Sequence, residues 1–337
     1  MAPAKAPPCD WPGPSRVVEC PAFPVPLAAV PPAVSAPVDP PHAPPGAANP
    51  ISEAEVVRTR GLPGFQAFLK QDALGARALF DSDPTFHRAA SDMGSFVLAI
   101  WAIHLHFTGG LSHRRLRDLG GSGGLVSAGR TTAILWRMQG AGLVRPVSDF
   151  RKGARRLYEP TPGIIAGIRA RLQLALQAMA PVEPDAGRVA EQLQQHGVFE
   201  ALIVEVGDGL ARAAESPHPA AEPINAFSMK TMAMHFLYSL LEDAYRRGAD
   251  RPCGRANVST SALAQRLGVS RAHVVRLRRD LERQGYYERA DDGGVITERF
   301  AEAYETYVAV GAIGMGRACR NVLARRAEPA ATPRPSR

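Results

Sequence analysis

The chain repeats one stretch of itself. Residues 126–144 read VSAGRTTAILWRMQGAGLV and residues 269–287 read VSRAHVVRLRRDLERQGYY, and they align without a gap at an offset of 143. The register pairs Ser127 with Ser270, Ile134 with Leu277, Met138 with Leu281 and Gly142 with Gly285. A serine behind an apolar residue caps a helix start, and apolar residues at helical spacing face a small core. A late glycine permits the left-handed turn that ends the helix. A chain of 337 residues that carries this unit twice is expected to form two folded units plus tails, since one domain spans roughly 100–200 residues.

The surroundings of each copy extend the pattern. Before the first, residues 112–119 predict a short basic helix and GGSGG at 120–124 a long turn, so that 127–140 becomes the second helix of a helix-turn-helix. Strands at 143–147 and 155–158 follow, forming a hairpin whose tip carries Arg151 and Lys152. The second copy has helices at 226–247 and 259–267, a tight turn at Gly268 and Val269, and a helix at 271–284. A hairpin of 287–289 and 295–297 turns on Asp291 and Asp292, acids that repel a phosphate rather than grip it.

Elsewhere the apolar spacing is helical at 64–80 and 86–107, with Asp83 or Ser91 as caps, at 163–179, and at 186–214 after the break between Pro181 and Pro184. The three prolines of 215–223 read as a linker, and 298–323 as a terminal helix or helix pair. The expected fold is mainly α with small β-hairpin wings: two winged helix-turn-helix domains in tandem behind a disordered Pro/Ala-rich N-terminal tail. The boundaries are 1–50 for the tail, 51–180 for the first domain, 181–223 for a helix and linker, 224–326 for the second domain and 327–337 for a second disordered tail.

A net charge of +8 and a pI near 9.7 favour a polyanionic partner. Arginines crowd 114–117, 151–156 and 271–283, inside or beside the repeated units. Cys9, Cys20, Cys253 and Cys319 show neither CxxC pairing nor disulfide density, which fits a reducing cytosol. A lone Lys5 among prolines makes no signal peptide, and the apolar run at 96–107 falls short of the roughly 20 residues that span a bilayer. His104 and His106, two apart on that helix, point to different faces and are read as core or surface residues rather than metal ligands. No GxxxxGK[ST], HExxH or GxSxG occurs, so no enzyme, cofactor or metal is expected.

Early residues of a recognition helix reach base edges in the major groove. In the first copy these are Ser127, Arg130 and Thr132; in the second, Ser270, Arg271, His273 and Arg276. Arg278, Arg279 and Arg283 extend the second surface toward phosphates, as do Arg114 and Arg115 before the first turn and Arg151, Lys152, Arg155 and Arg156 in the first hairpin. Trp136, aligned with Arg279, is expected to pack on the preceding helices, with a subunit contact as the alternative.

Over residues 88–179, LRDL before the turn, VSAGRTTAILWRMQGAGLVR and SDFRKGARRLYEPTPG resemble a winged-helix domain of the MarR type, with Asp149, Arg151 and Arg155 placed like that family's wing residues. The GGSGG turn is longer than the family's, and PTPG replaces its commoner leucine-threonine-x-x-glycine close. LAQRLGVSRAHVVRLRRDLERQGYYE resembles winged helix-turn-helix regulators in general. The resemblance implies a cytoplasmic, nucleoid-associated bacterial transcriptional regulator. It would bind double-stranded DNA as a homodimer or an internal pseudo-dimer, away from any membrane, with an effector that the residues do not name. The helices at 64–80 and 186–214 are then the expected dimer contacts. Plasmid-type replication initiators and tandem winged-helix protein-interaction scaffolds are the alternatives.

Overall fold

The computed structural model describes residues 50–121, 124–147, 157–290 and 293–327. The expected tails, apart from their inner ends, the centre of the GGSGG turn, Asp291 and Asp292, and the hairpin tip with Asp149, Arg151, Lys152, Arg155 and Arg156 lie outside the described residues. What is described is mainly helical, with two small antiparallel three-stranded sheets.

Helix α1 (Glu53–Arg60) opens with a capping box between Ser52 and Glu55. Helix α2 (Phe65–Ser82) follows, then α3 (Pro84–Ala89), capped by Asp83 as expected. Helix α4 (Met93–Phe107) is capped by Asp92, not Ser91. Its sequence is apolar all round because it is buried almost all round, and Trp101 at its centre donates its indole N–H to the Gly207 carbonyl at 3.0 Å.

Around α4 the chain builds strand β1 (Leu111–Ser112), α5 (His113–Gly121), α6 (Ala128–Gly140), the hairpin strands β2 (Val144–Pro146) and β3 (Leu157–Pro160), and α7 (Pro162–Met179). The connecting part is α8 (Pro184–Gln192), α9 (Val198–Glu215) and α10 (Glu222–Ser228). A second assembly then runs α11 (Ala233–Arg246), β4 (Gly254–Arg255), α12 (Thr260–Leu267), α13 (Arg271–Arg283), β5 (Tyr287–Ala290), β6 (Gly293–Ile296) and α14 (Glu298–Ala327). The order helix, strand, helix, helix, hairpin, helix thus occurs twice. The sheets share one topology, β1-β3-β2 and β4-β6-β5.

The repetition extends to single hydrogen bonds. Gly142 and Gly285 both adopt positive φ, 70° and 69°, where a side chain would be strained. Leu143 N donates to Met138 O and Tyr286 N to Leu281 O, each at 2.9 Å, closing the same helix stop. The Thr161 hydroxyl then donates to Gly142 O and that of Thr297 to Gly285 O, tying the start of the next helix to that stop.

Several expected elements are revised. The helix expected at 226–247 breaks at residues 229–232, where Met232 takes φ 59°, a value uncommon for a non-glycine residue. The stretch 186–214 divides at Gly197, which starts α9 at φ 79°. The expected linker 215–223 holds a 3-10 turn (Pro219–Ala221) and the start of α10, both packed on α14. The terminal segment is one helix of 30 residues.

The two assemblies interlock. Helix α2 packs on α7 and α11, α9 on α4 and α14, and α1 on α14, so one apolar core runs from Val56 to Val322. The faces of α2 and α9 expected to meet a partner chain are covered within this one. Polar ties reinforce the join: buried Glu305 of α14 accepts from Arg60, Gln66 and Arg251, while Glu205 of α9 accepts from Asn321 and pairs with Arg325.

Candidate nucleic-acid interface

Helix α13 begins where Gly268, at φ 67°, turns the chain out of α12 and the Ser270 hydroxyl accepts from His273 N. Ser270 is therefore a cap before it is a DNA contact. At about 100° per residue, the buried Val274, Leu277 and Leu281 fall within an arc of about 60°. Arg271, Arg276, Arg279 and Arg283 spread over about 140° on the opposite side. The first three are exposed and make no hydrogen bond or ion pair among the described residues. Arg283 pairs with Asp280, and Arg278 turns inward to donate to Val258 O at 3.0 Å with its guanidinium over the Tyr287 ring. Burial would raise the Asp280 carboxyl, but Lys230 at 2.5 Å and Arg283 hold it below the usual carboxylate range.

Helix α6 repeats the scaffold with a different surface. Ser127 caps it, accepting from Arg130 N. Arg130, expected to read a base, instead donates to Asp92 Oδ1 and to Met229 O, both at 2.8 Å. Thr132 donates to Ala128 O and accepts from the His113 ring at 2.8 Å, so it too is engaged inside the chain. On α5, Arg115 closes the turn between α4 and β1 by donating to Gly110 O and Thr108 O. Arg114 and Arg117 stay exposed, Arg114 with a loose contact to Asp118 at 3.7 Å. Trp136 is 66% exposed, which overturns its expected packing: its register puts it opposite Ile134, Leu135 and Met138, the side facing the core.

The break at 229–232 joins the two helices. His273 Nε2 donates to Thr231 O at 2.9 Å, and His273 is the residue aligned with Arg130, which grips Met229 O. Lys230, between them, holds Asp280 of α13, and Met232 N donates to Ser91 O. Equivalent positions of the two copies thus hold one loop two residues apart. Even with both side chains and the backbone step fully stretched, the Cα atoms of Arg130 and His273 lie no more than roughly 30 Å apart. No glycine or proline marks this break in the sequence, so periodicity runs straight through it.

Charge is distributed unequally. Residues 113–160 carry ten Lys and Arg against three Asp and Glu, a net +7, with none of the cations on the outward stripe of Gly129, Ala133, Trp136 and Gly140. In the second copy the same stripe reads Ala272, Arg276, Arg279 and Arg283. Among the described residues no cluster of His, Cys, Asp and Glu is placed to hold a metal ion, and no helix is long and apolar enough to cross a membrane. His104 is buried beside Gly207, and that burial lowers its pKa although Asp208 lies 3.6 Å away. Comparison with protein-family models, with curated proteins and with solved structures returned no match.

Proposed function

We propose that the chain is a sequence-specific double-stranded DNA-binding regulator of the winged-helix kind, with α13 as its groove reader. The observation that carries this is the outward face of α13: three exposed arginines, without partners among the described residues, on a capped helix that follows another across a tight glycine turn. A helix of that kind fits the major groove, where a guanidinium pairs with guanine O6 and N7 through two hydrogen bonds. The repeated order of helices and hairpin agrees with a tandem winged-helix reading.

The first copy takes a different part in this proposal from the one its sequence suggests. Arg130 is committed to Asp92 and Met229 O, and the outward stripe of α6 carries no cation. Helix α13 is thus the sequence reader, and the basic flanks of the first copy supply phosphate contacts.

The test is selection of bound duplexes from a random pool, followed by salt-titrated affinities for the selected site and a shuffled control. The selected site should win by about a thousandfold or more. Arg276→Ala should cost about 1–3 kcal/mol at that site and relax preference at one base pair, while Arg279→Ala should weaken all duplexes and lower the salt slope by about one. Equal affinity for selected and shuffled duplexes would overturn the proposal.

A further inference from the structure

Duplicated helices that share caps, core residues and helix stops have diverged along one line. Where α13 presents Arg276 and Arg279, α6 presents Ala133 and Trp136. Trp136 is the most exposed of the large apolar side chains among the described residues, and no described residue covers it. The outward stripe of α6 has no side-chain donor or acceptor apart from the indole N–H, so it does not read base edges by hydrogen bonding. Its sequence neighbourhood is strongly cationic, a net +7 over residues 113–160, and α5, packed along α6, exposes Arg114 and Arg117. An exposed indole on a basic stretch of chain is matched by a partner that is both anionic and planar. An apolar protein surface lacks the charge, and a paired duplex keeps its base faces stacked away.

We infer that Trp136 is a stacking platform for an unpaired base, so that the first copy holds single-stranded or locally opened nucleic acid while the second reads duplex. The inference rests on the nucleic-acid reading above and deepens it. Arg114 and Arg117 then track the backbone as the indole takes the base face, the combination by which single strands are held without sequence preference. Exposure of the ring before binding means that no rearrangement of the core is needed.

The experiment compares three ligands at matched salt: the selected duplex, the same duplex with a central unpaired stretch, and an oligothymidylate. Trp136→Ala should weaken the last two about 5- to 150-fold and leave the paired duplex within about twofold. Trp136→Phe should restore most of the loss, and in a Trp11→Phe background the fluorescence quenching seen with oligothymidylate should vanish in both variants, since Trp101 is buried. Trp136→Ala binding the opened duplex as tightly as the parent would overturn the stacking role while leaving duplex reading intact. Failure of the parent protein to bind any of the three would remove both. If sedimentation shows that Trp136→Ala only turns a dimer into a monomer, with DNA affinities unchanged, the face is a self-association surface and the inference fails.

Discussion

Arg130 and Arg276 look alike in the sequence, each an early arginine on a capped helix, and they do opposite work. Arg276 has no partner among the described residues, whereas Arg130 closes on Asp92, a nearly buried carboxylate that also accepts from Ser95 N and Oγ. Losing Arg130 leaves that carboxylate with Arg137 at 3.8 Å as its nearest cation. We therefore expect Arg130→Ala to lower stability by about 1–3 kcal/mol in urea unfolding, because a buried acceptor loses its partner, and Arg276→Ala to stay within about 0.5 kcal/mol. A stable Arg130→Ala protein with relaxed sequence preference would return Arg130 to base reading.

At the scale of elements, the contact of α3 with α11 sets a pH dependence. His87 and His235 meet edge to face at 5.1 Å beside Phe80, and burial lowers their pKa values to about 4 and about 3, with Arg77 and Arg171 acting in the same direction. The unfolded chain takes up protons near pH 6.5, before the folded one does. The stabilising contribution of the neutral rings is thus complete above about pH 6.5 and is lost as pH falls toward 4 and 3, at up to about 1.4 kcal/mol per unit for each ring. Unfolding free energies from urea titrations at pH 7.5 and 5 should differ by about 2–4 kcal/mol, and His235→Gln should flatten that difference; an unchanged slope in the variant would refute the assignment.

For the whole molecule the decisive fact is that α14 belongs to both halves. It closes the second assembly and also packs on α1, α8 and α9, with Glu305 and Glu205 tied across the join. A fragment of residues 51–223 would expose the faces of α1, α2 and α9 that α14 and α11 cover. Such a fragment should show no cooperative unfolding transition and poorly dispersed amide resonances. A well-folded monomeric fragment would show instead that the first half stands alone.

The offset of 143 and the spacing of caps, apolar residues and late glycines already contain the helix pairs, the hairpins and the matching stops at Gly142 and Gly285, because caps and periodicity act within a few residues. Strands β1 and β4, two residues each, are too short for any period to register, although the same offset relates them. Which arginines are free was not legible in the chain. Arg130 is spoken for by Asp92 and by a loop 99 residues away. A side chain's partners depend on contacts between residues far apart in sequence, and local pattern carries no record of them.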